Sequence, residues 1–463
     1  MSSLLGFSVQ NFKSFKEAQK ISFFASGSEY NYSHILPIEK YRILRSALLY
    51  GGNASGKTNL IKAVDFSHRI VLYGLDAVNL FNSHFRIAAD CYQRPGVFEY
   101  RILVGKTEYS YGLVISYVQE IIVSEWLVRL GKKEKYIYNR MFTNGKSIIE
   151  TEVSNELKNA NDRKRFNIYL NDFGDNVSAA FQRKTILGDL AVRSESGQGV
   201  FREIYDIYDF FKNILIIYPN TKYGGISSIA SNNVLNKEFS TLLNMFDTGI
   251  KNLECKKQAV DFDEMFVGVP KEELDRFKFT ISKELENRSY ALRPFRGQLL
   301  SFRKSNNGVL LTDKLMLDHG NPEDMFELND ESDGTKRLFD LIPLLTFRNN
   351  AAIFIDEIER SLHPVLIRTF LSLFFRRMAQ TKSYTQLLAT THEISLFDTD
   401  LVRQDELWLV KRNEDQSTCI YSLNKYDISV SDDIKKGYLL GKYGAIPDIA
   451  PVNSLLGDAF NGK

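Results

Sequence analysis

One glycine-rich run constrains this chain more than any other stretch of its sequence. Residues 51–58 read Gly-Gly-Asn-Ala-Ser-Gly-Lys-Thr. The five residues before the run are apolar enough for a buried strand, and Leu60, Ile61 and Val64 after it share one face of a helix. A strand, a glycine-rich turn and a helix in this order are the context that identifies a P-loop, which binds the phosphates of a nucleotide.

The residue types in the run explain how it would bind phosphate. Glycines let backbone N–H groups approach the phosphates without a Cβ in the way, and the start of the helix adds its positive dipole end. We expect the Lys57 ammonium to reach the β- and γ-phosphates and the Thr58 hydroxyl to bind Mg²⁺. The predicted nucleotide-binding residues are Gly51, Gly52, Asn53, Ala54, Ser55, Gly56, Lys57, Thr58 and Asn59.

Length and composition exclude some classes of protein. The 463 residues are enough for two or three domains, and a formal net charge of +2 provides no overall field toward nucleic acid or membrane. The N-terminus lacks the features of a signal peptide, and no apolar run reaches the ~18 residues of a membrane helix. Cys91, Cys255 and Cys419 have no metal-binding or redox spacing. We expect buried thiols and a cytoplasmic location.

A pair of acidic residues follows another apolar strand. Residues 351–355 form an apolar run that ends in Asp356 and Glu357. Beside a P-loop, Asp356 in this position can hold Mg²⁺ through water, and Glu357 can act as the general base on the attacking water. The alternative is an acidic pair that caps a helix. Pro364 suits the first turn of a helix that we expect over residues 365–378.

Two further stretches carry weaker signals for phosphate binding. Ser332 and Gly334 precede a helix whose apolar positions lie on one face, and small residues at a helix start suit a phosphate. His392 follows the apolar residues 386–390 and could hydrogen-bond a γ-phosphate, although a single histidine is more often structural.

The order of these motifs resembles that of the ABC ATPase head. The resemblance implies ATP and Mg²⁺ as ligands, Lys57, Glu357 and His392 as catalytic residues, and Thr58 and Asp356 as metal ligands. It also implies that Ser332 and Gly334 of one subunit act on the γ-phosphate held by the P-loop of another, which requires at least a dimer. The family's D-loop would fall on residues 359–364, which include His363, and its Q-loop near residues 83–86.

The predicted fold is α/β, an ABC-type P-loop ATPase head with an antiparallel β subdomain and a mostly helical insertion. Alternating residues predict strands near the N-terminus and four strands over residues 98–138. We expect an N-terminal lobe over residues 1–139, a mostly helical insertion for oligomerisation or partner binding over 140–275, and a C-terminal lobe over 276–463. Residues 277–281 and 298–303 are predicted to return to strands, and residues 218–233 to form a loop.

Several blocks resemble a narrower family. The start of the chain is similar to SMC and RecF ATPases, and five blocks resemble the stand-alone AAA-family ATPases of prokaryotic abortive infection and phage defence. These blocks begin at Ser124, Phe246, Glu331, Glu359 and Tyr438. Within this family, size and domain order are similar to the ATPase subunit of PARIS defence systems. That resemblance implies a homo-oligomeric sensor that controls a TOPRIM-type nuclease when a phage-encoded trigger protein, such as a DNA mimic, is detected. Only residues 393–463 follow His392, so we expect the nuclease to be a separate chain.

Two alternatives remain open from the sequence. A RecF-type repair ATPase would bind DNA directly, although such proteins usually carry a basic face. The basic clusters at residues 132–133 and 163–165 could touch phosphates but are more often solvated faces. A regulatory module that does not hydrolyse nucleotide is disfavoured by the complete set of Lys57, Asp356 and Glu357.

Overall fold

The computed structural model describes residues 2–27, 30–38, 40–174, 179–194, 197–219, 233–267, 269–287, 290–295, 298–305, 307–346, 352–428 and 433–446. The chain forms two compact units. The first unit comprises residues 1–216, 349–358 and 378–463, and the second comprises residues 217–348 and 359–377.

An antiparallel sheet of seven strands forms one part of the first unit. Its strands are β1 (Ser2–Gln10), β2 (Gln19–Ser22), β4 (Gly96–Val104), β5 (Thr107–Ser116), β6 (Ile121–Leu130), β7 (Lys135–Thr143) and β8 (Lys146–Glu150), in the order β2-β1-β4-β5-β6-β7-β8. The prediction of an antiparallel β subdomain is confirmed, because every neighbouring pair is antiparallel. Alternating apolar side chains of these strands lie in the core, as a half-buried sheet requires.

A second sheet of six strands carries the P-loop. Its strands are β3 (Ser46–Tyr50), β9 (Ile214–Ile217), β15 (Ala352–Ile355), β16 (Gln386–Thr390), β17 (Leu407–Arg412) and β18 (Thr418–Ser422), in the order β18-β17-β3-β16-β15-β9. The pairs from β17 to β15 are parallel, and β18 is antiparallel to β17. All five residues of β3 are buried, as expected for a strand covered on both faces.

Helices complete the first unit. They are α1 (Lys57–Tyr73), α2 (Ala160–Gly174), α3 (Ala179–Gln182), α4 (Ile186–Arg193), α5 (Val200–Lys212) and, near the C-terminus, α11 (Ile434–Leu439). The predicted apolar face of α1 is confirmed, since Leu60, Ile61 and Val64 are fully buried. Thr185 donates a hydrogen bond of 3.1 Å from its hydroxyl to the carbonyl of Val71, which ties the start of α4 to the end of the P-loop helix.

A buried carboxylate fixes α4 against the first sheet. Glu125 of β6 is fully buried and accepts hydrogen bonds from the Tyr138 hydroxyl (2.9 Å) and from the backbone N–H groups of Ile186 (2.7 Å) and Leu187 (3.0 Å). Burial raises the pKa of Glu125, and the nearby Arg140 guanidinium offsets part of that rise. The block that begins at Ser124 therefore has a structural role, because its glutamate binds the N–H groups at the start of a helix.

The described residues of the second unit form an antiparallel sheet and five helices. Its strands are β10 (Asn252–Ala259), β11 (Tyr290–Phe295), β12 (Gln298–Lys304), β13 (Leu310–Asp318) and β14 (Phe326–Glu327), in the order β10-β13-β12-β11 with β14 paired to β13. The helices are α6 (Asn233–Met245), α7 (Phe262–Met265), α8 (Lys271–Asn287), α9 (Asp333–Thr346) and α10 (Pro364–Gln380), of which α10 belongs to this unit as far as Arg377.

One predicted strand is wrong. Residues 277–281 lie within the helix α8 and not in a strand. The alternation of Phe277, Phe279 and Ile281 indicated a strand, but the buried positions of this stretch are Leu274, Ile281 and Leu285, which recur at helical spacing. Phe279 is 69% exposed, so the apolar residue that completed the alternation does not contribute to the core.

The three predicted lobes stay a prediction, and their limits do not coincide with the ends of secondary structure. The limit between residues 139 and 140 falls inside β7, and the limit between 275 and 276 falls inside α8. The predicted loop over residues 218–233 lies mostly outside the described residues. Within the stretch predicted as a mostly helical insertion, residues 200–212 form the helix α5 and residues 214–217 form the strand β9.

Candidate nucleotide-binding site

The loop between β3 and α1 has the close backbone packing for which glycine is required. A Cβ added to Gly51 would lie 2.2 Å from the carbonyl oxygen of Val410, the last buried residue of β17. Gly56 has a φ of 108°, and a Cβ there would lie 2.1 Å from the Thr418 hydroxyl. Any other residue at these two positions would push the loop away from its neighbours.

Two polar side chains of the loop are buried. The Lys57 ammonium is buried and donates hydrogen bonds to the carbonyls of Gly51 (2.8 Å) and Gly52 (3.1 Å). The Ser55 hydroxyl is also buried, and it has no hydrogen-bond partner among the described residues. A buried cation and an unsatisfied hydroxyl at a helix start are suited to the oxygens of an anion.

Thr58 and Asp356 meet directly. The Thr58 hydroxyl donates a hydrogen bond of 3.0 Å to the Asp356 carboxylate, which also accepts one of 2.7 Å from the Thr390 hydroxyl. Asp356 is 3% exposed, so its charge is removed from water and needs these partners. No group of three or more His, Cys, Asp or Glu side chains in the described part of the chain could hold a metal by itself. A hydroxyl and one carboxylate fit Mg²⁺ bound mainly by phosphate oxygens and water.

Glu357 sits next to this pair in a strained backbone conformation. Its φ is 49°, in the left-handed region that costs a residue with a side chain about 1–2 kcal/mol. The Thr390 hydroxyl accepts the Glu357 backbone N–H at 2.8 Å, and the Thr390 carbonyl accepts the N–H of Ile358 at 3.1 Å. Thr390 thus holds the turn after β15 in the shape that presents Glu357.

Strand order explains why these residues share one edge. The strands β3, β16 and β15 are parallel neighbours, so their carboxyl ends lie side by side. The P-loop follows β3, His392 follows β16, and Asp356 with Glu357 follows β15. The His392 side chain is exposed, while Thr391 before it is bonded through its N–H to the Leu49 carbonyl at 3.0 Å.

Ser332 and Gly334 lie in the second unit, at the start of α9. The Ser332 hydroxyl accepts a hydrogen bond of 3.1 Å from the Thr335 backbone N–H, so it acts as the N-cap, and Ser332 is exposed. A Cβ on Gly334 would lie 2.8 Å from the carbonyl of Ser361, so glycine permits the contact with residues 359–363. His363 accepts a hydrogen bond from the Val365 N–H at 3.3 Å, which places it as a cap of α10.

Sequence reasoning missed three hydroxyls around the loop. Thr390 joins Asp356 to the Glu357 backbone, as described above. The Thr418 hydroxyl donates to the Ser55 carbonyl (2.8 Å) and lies within hydrogen-bond distance of the Ser14 hydroxyl (2.7 Å), and Ser14 accepts from the Asn59 side chain (2.8 Å). The sequence could have indicated Thr390, because Thr390 and Thr391 directly precede the candidate residue His392. Nothing in the sequence indicated that residues 14 and 418 meet.

Other predicted sites are structurally ordinary or untested. Residues 83–86 pack on the turn after β1, since the Ser83 carbonyl accepts a hydrogen bond from the Lys13 N–H at 2.7 Å. Burial and the positive charges of Lys62 and Arg86 lower the pKa of Lys13. Residues 132–133 are exposed, while Arg163 donates to the Leu157 carbonyl at 3.0 Å. Cys91 is buried, as expected, whereas Cys419 is partly exposed. Every helix in the described ranges is too short or too polar to cross a membrane.

Comparison with known proteins identifies a family. Residues 46–166 and 251–398, more than half of the chain, match the family described as "AAA domain, putative AbiEii toxin, Type IV TA system". No curated protein matches the sequence.

Two solved structures show a weak likeness to this chain. An SMC head bound to the C-terminal winged-helix domain of ScpA is 11% identical, with a TM-score of 0.41 over 93% of this chain and 98% of that one. The SMC head domain from Thermotoga maritima is 12% identical, with a TM-score of 0.36 over 92% of this chain and 100% of that one. Both TM-scores are too low to support an argument about the fold. The α/β fold class therefore rests on the strand order described above. On its family match, the chain belongs to this AAA-domain family.

Proposed function

We propose that the protein is a Mg²⁺-dependent ATPase that works as the sensor subunit of an anti-phage system and controls a separate nuclease. One observation carries the ATPase assignment: the P-loop, the acidic pair and His392 occupy one edge of a parallel sheet, with Thr58 bonded to Asp356. The family match supports a P-loop domain that binds ATP.

Each residue at this edge has a role in the proposed reaction. The N–H groups of residues 51–59 and the Lys57 ammonium bind the phosphates, and Thr58 with Asp356 would hold Mg²⁺. The metal, when bound, neutralises charge on the phosphate oxygens. Glu357 accepts a proton from the attacking water, and His392 donates a hydrogen bond to the γ-phosphate. Because such catalysis is positioning and charge stabilisation, the rigid turn that presents Glu357 supports the assignment.

The proposed active site is shared between two copies of the chain. Ser332 and Gly334 of one copy would complete the site formed by the P-loop of another. This is supported by the resemblance of the motifs to ABC ATPase heads and by the exposure of Ser332 at the start of α9, where a helix N-terminus favours an anion. A homo-oligomer with at least two subunits follows from a shared site.

The defence role extends the family description. The matched family carries the description "AAA domain, putative AbiEii toxin, Type IV TA system". The blocks that begin at Ser124, Phe246, Glu331, Glu359 and Tyr438 resemble abortive-infection ATPases of the PARIS type. In the cytoplasm, the oligomer would hold a TOPRIM-type nuclease inactive and release it when a phage protein is detected.

The test combines an ATPase assay with a pull-down from cells that carry the native neighbouring genes. We expect Mg²⁺-dependent hydrolysis by the wild type, loss of hydrolysis in Glu357→Gln, and a nuclease recovered with the protein at constant stoichiometry. The exposed Glu134→Gln variant serves as the control and should behave as wild type. Active hydrolysis without a protein partner, together with salt-sensitive binding of duplex DNA, would instead support the RecF-like repair ATPase.

A further inference from the structure

A cavity of about 600 Å³ opens in the second unit between the helix α6 and the start of the strand β10. This volume lies within the range of ~300–1,000 Å³ that is typical of small-molecule sites. Its lining is polar except for one leucine, and it consists of Asn236, Lys237, Ser240, Thr241, Asn244, Lys251, Asn252 and Leu253. The P-loop and the acidic pair belong to the first unit, so the proposed hydrolysis does not explain this cavity.

The lining of the cavity carries two positive charges and no carboxylate. The charges belong to Lys237 and Lys251, which are exposed and form no ion pair among the described residues. Glu238, the sequence neighbour of Lys237, is paired with the Arg377 guanidinium of α10, and the exposed Glu254 of β10 does not line the cavity. Two cations without a carboxylate in the same wall attract an anion.

Two amide side chains in the lining can donate hydrogen bonds to the same anion. Asn244 and Asn252 are exposed, and their side chains have no hydrogen-bond partner among the described residues. Asn236 instead joins the two walls, because its side-chain N–H donates to the Leu253 carbonyl at 2.8 Å and its amide oxygen accepts from the Ser240 hydroxyl at 3.1 Å. The helix and the strand are thus fixed to each other, while two amide groups and two ammonium groups remain free to bind a ligand.

This set of donors suits a phosphate group. A phosphate monoester has a charge of about −1.5 to −2 at neutral pH and three strong acceptor oxygens, which match two ammonium and two amide groups. A carboxylate has one charge and two oxygens, so it would leave donors unused. Lysine binds phosphate as a point charge, and a concave site of this size favours a small molecule.

The strand side of the cavity is connected to the start of α9. The Lys251 N–H donates a hydrogen bond of 2.8 Å to the Asp318 carbonyl at the end of β13. The next residue, His319, contacts the Glu331 carboxylate at 2.6 Å, and Glu331 directly precedes Ser332. A short chain of contacts therefore leads from a lining residue to the candidate residue Ser332.

The helix side of the cavity packs directly on α9. Phe239 of α6 and Phe339 of α9 are both buried, with ring centroids 5.3 Å apart. Both walls of the cavity are therefore in contact with α9 or with the segment that leads into it.

We propose that this cavity binds a phosphate-bearing small molecule that acts as an effector of the ATPase. Lys237 and Lys251 neutralise the charge of the phosphate, and Asn244 and Asn252 donate hydrogen bonds to its oxygens. A phosphate bound by both lysines links α6 to the start of β10, so it fixes the segment between β13 and α9 that positions Ser332 and raises turnover. The binding is argued from the cavity alone, whereas the effect on turnover rests on the proposed function.

Titration of the full chain followed by phosphorus NMR tests the binding. A non-hydrolysable ATP analogue with Mg²⁺ first saturates the P-loop, and inorganic phosphate or glycerol phosphate is then added. We expect the double variant Lys237→Ala/Lys251→Ala to bind either probe about 10-fold more weakly or worse, because it loses two charge-assisted hydrogen bonds. Equal affinity for the two probes would identify free phosphate as the ligand, and tighter binding of glycerol phosphate would identify an organic phosphate.

The matched control removes the same charge from the same strand. Lys256 and Lys257 are exposed residues of β10 that do not line the cavity. The double variant Lys256→Ala/Lys257→Ala should therefore bind both probes as the wild type does.

Release of ADP, measured with and without each probe, tests the effect on turnover. We expect a bound probe to raise hydrolysis by the wild type ~5-fold, at the lower end of ordinary coupling between sites. Lys237→Ala/Lys251→Ala should not respond, and Lys256→Ala/Lys257→Ala should respond normally. His319→Ala should bind the probe as the wild type does and lose the response, because its contact with Glu331 is absent.

The outcomes distinguish the phosphate site from the proposed function. A wild type that binds neither probe, binding that survives in Lys237→Ala/Lys251→Ala, or an equal loss in the two double variants would overturn the site. Binding without any change in ADP release would contradict its role as an effector. A wild type that does not hydrolyse ATP would contradict the proposed function, while binding that depends on Lys237 and Lys251 would still support the site. Thermal unfolding of each variant checks that the second unit has kept its fold.

Discussion

The two regions that carry the predicted site residues differ in how completely they are bonded within one chain. At the P-loop edge of the first unit, Lys57 and Asp356 are buried and each has hydrogen-bond partners in the same unit. At the start of α9 in the second unit, Ser332 caps its own helix and remains exposed. The first region is preorganised to bind a ligand, whereas the second is a capped helix start that is open to solvent. The comparison predicts that loss of a phosphate-binding group in the first region weakens ATP binding, whereas damage to the second region lowers only turnover.

The largest effect is expected from Lys57→Ala. Without the ammonium, the charge on the phosphates is not neutralised, so we expect weaker ATP binding and hydrolysis reduced by ~100-fold or more. Lys62→Ala, an exposed position on the same helix, is the control. Hydrolysis rates and calorimetric titration with ATP measure both quantities, and tight binding by Lys57→Ala would contradict the role given to the P-loop edge.

Glu357→Gln should separate binding from chemistry within the first region. The amide cannot accept the proton of the attacking water, so hydrolysis should fall by ~100-fold while ATP affinity is retained. Size-exclusion chromatography with ATP should then show a stable oligomer in which the nucleotide is trapped. Formation of the same oligomer in the absence of nucleotide would count against this view.

Ser332→Arg tests the second region. A bulky cation at the exposed start of α9 should keep the Ser332 hydroxyl away from the γ-phosphate of a second copy while the subunits still associate. We therefore expect hydrolysis to fall by ~10-fold or more with little change in ATP affinity, because in the proposed shared site this region serves only turnover. Asn307→Arg, an exposed position in the same unit, controls for the added charge. If Ser332→Arg loses ATP affinity to the same extent as Lys57→Ala, the distinction between the two regions is lost.

The smallest effect is expected from His319, which positions the residue before Ser332. The His319 imidazole contacts the Glu331 carboxylate at 2.6 Å, and this contact holds the segment that leads into α9. Loss of one such hydrogen bond is worth about 1 kcal/mol, so His319→Ala should lower turnover by a few-fold without changing ATP affinity. His319→Gln keeps a donor and should recover part of the loss, an outcome that a simple packing defect would not produce.

The P-loop edge could be predicted from the sequence because each of its parts is a local pattern. Two patterns are involved, a strand followed by glycines and a helix, and a strand followed by two acids. Each pattern can be recognised within about ten residues of sequence. The parallel arrangement then brings the ends of β3, β16 and β15 together. The contact between Thr58 and Asp356 follows from that geometry, although the two residues lie far apart in the chain.

The features that could not be predicted depend on contacts between distant residues. Thr418 and Ser14 meet because β18 begins beside the turn after β1, and no local pattern encodes that meeting. The alternation of Phe277, Phe279 and Ile281 predicts a strand within the helix α8, although burial follows the helical spacing of Leu274, Ile281 and Leu285. Periodicity over five residues does not separate the two possibilities.

A mixing experiment tests most directly whether the two regions act across subunits. Lys57→Ala and Ser332→Arg should each be nearly inactive alone. In an equimolar mixture that exchanges subunits, half of the dimers would be mixed and each would contain one intact site, so the account predicts recovery to roughly a quarter of wild-type hydrolysis. A mixture as inactive as its components, with subunit exchange confirmed, would show that both regions act within one chain and would contradict the shared site.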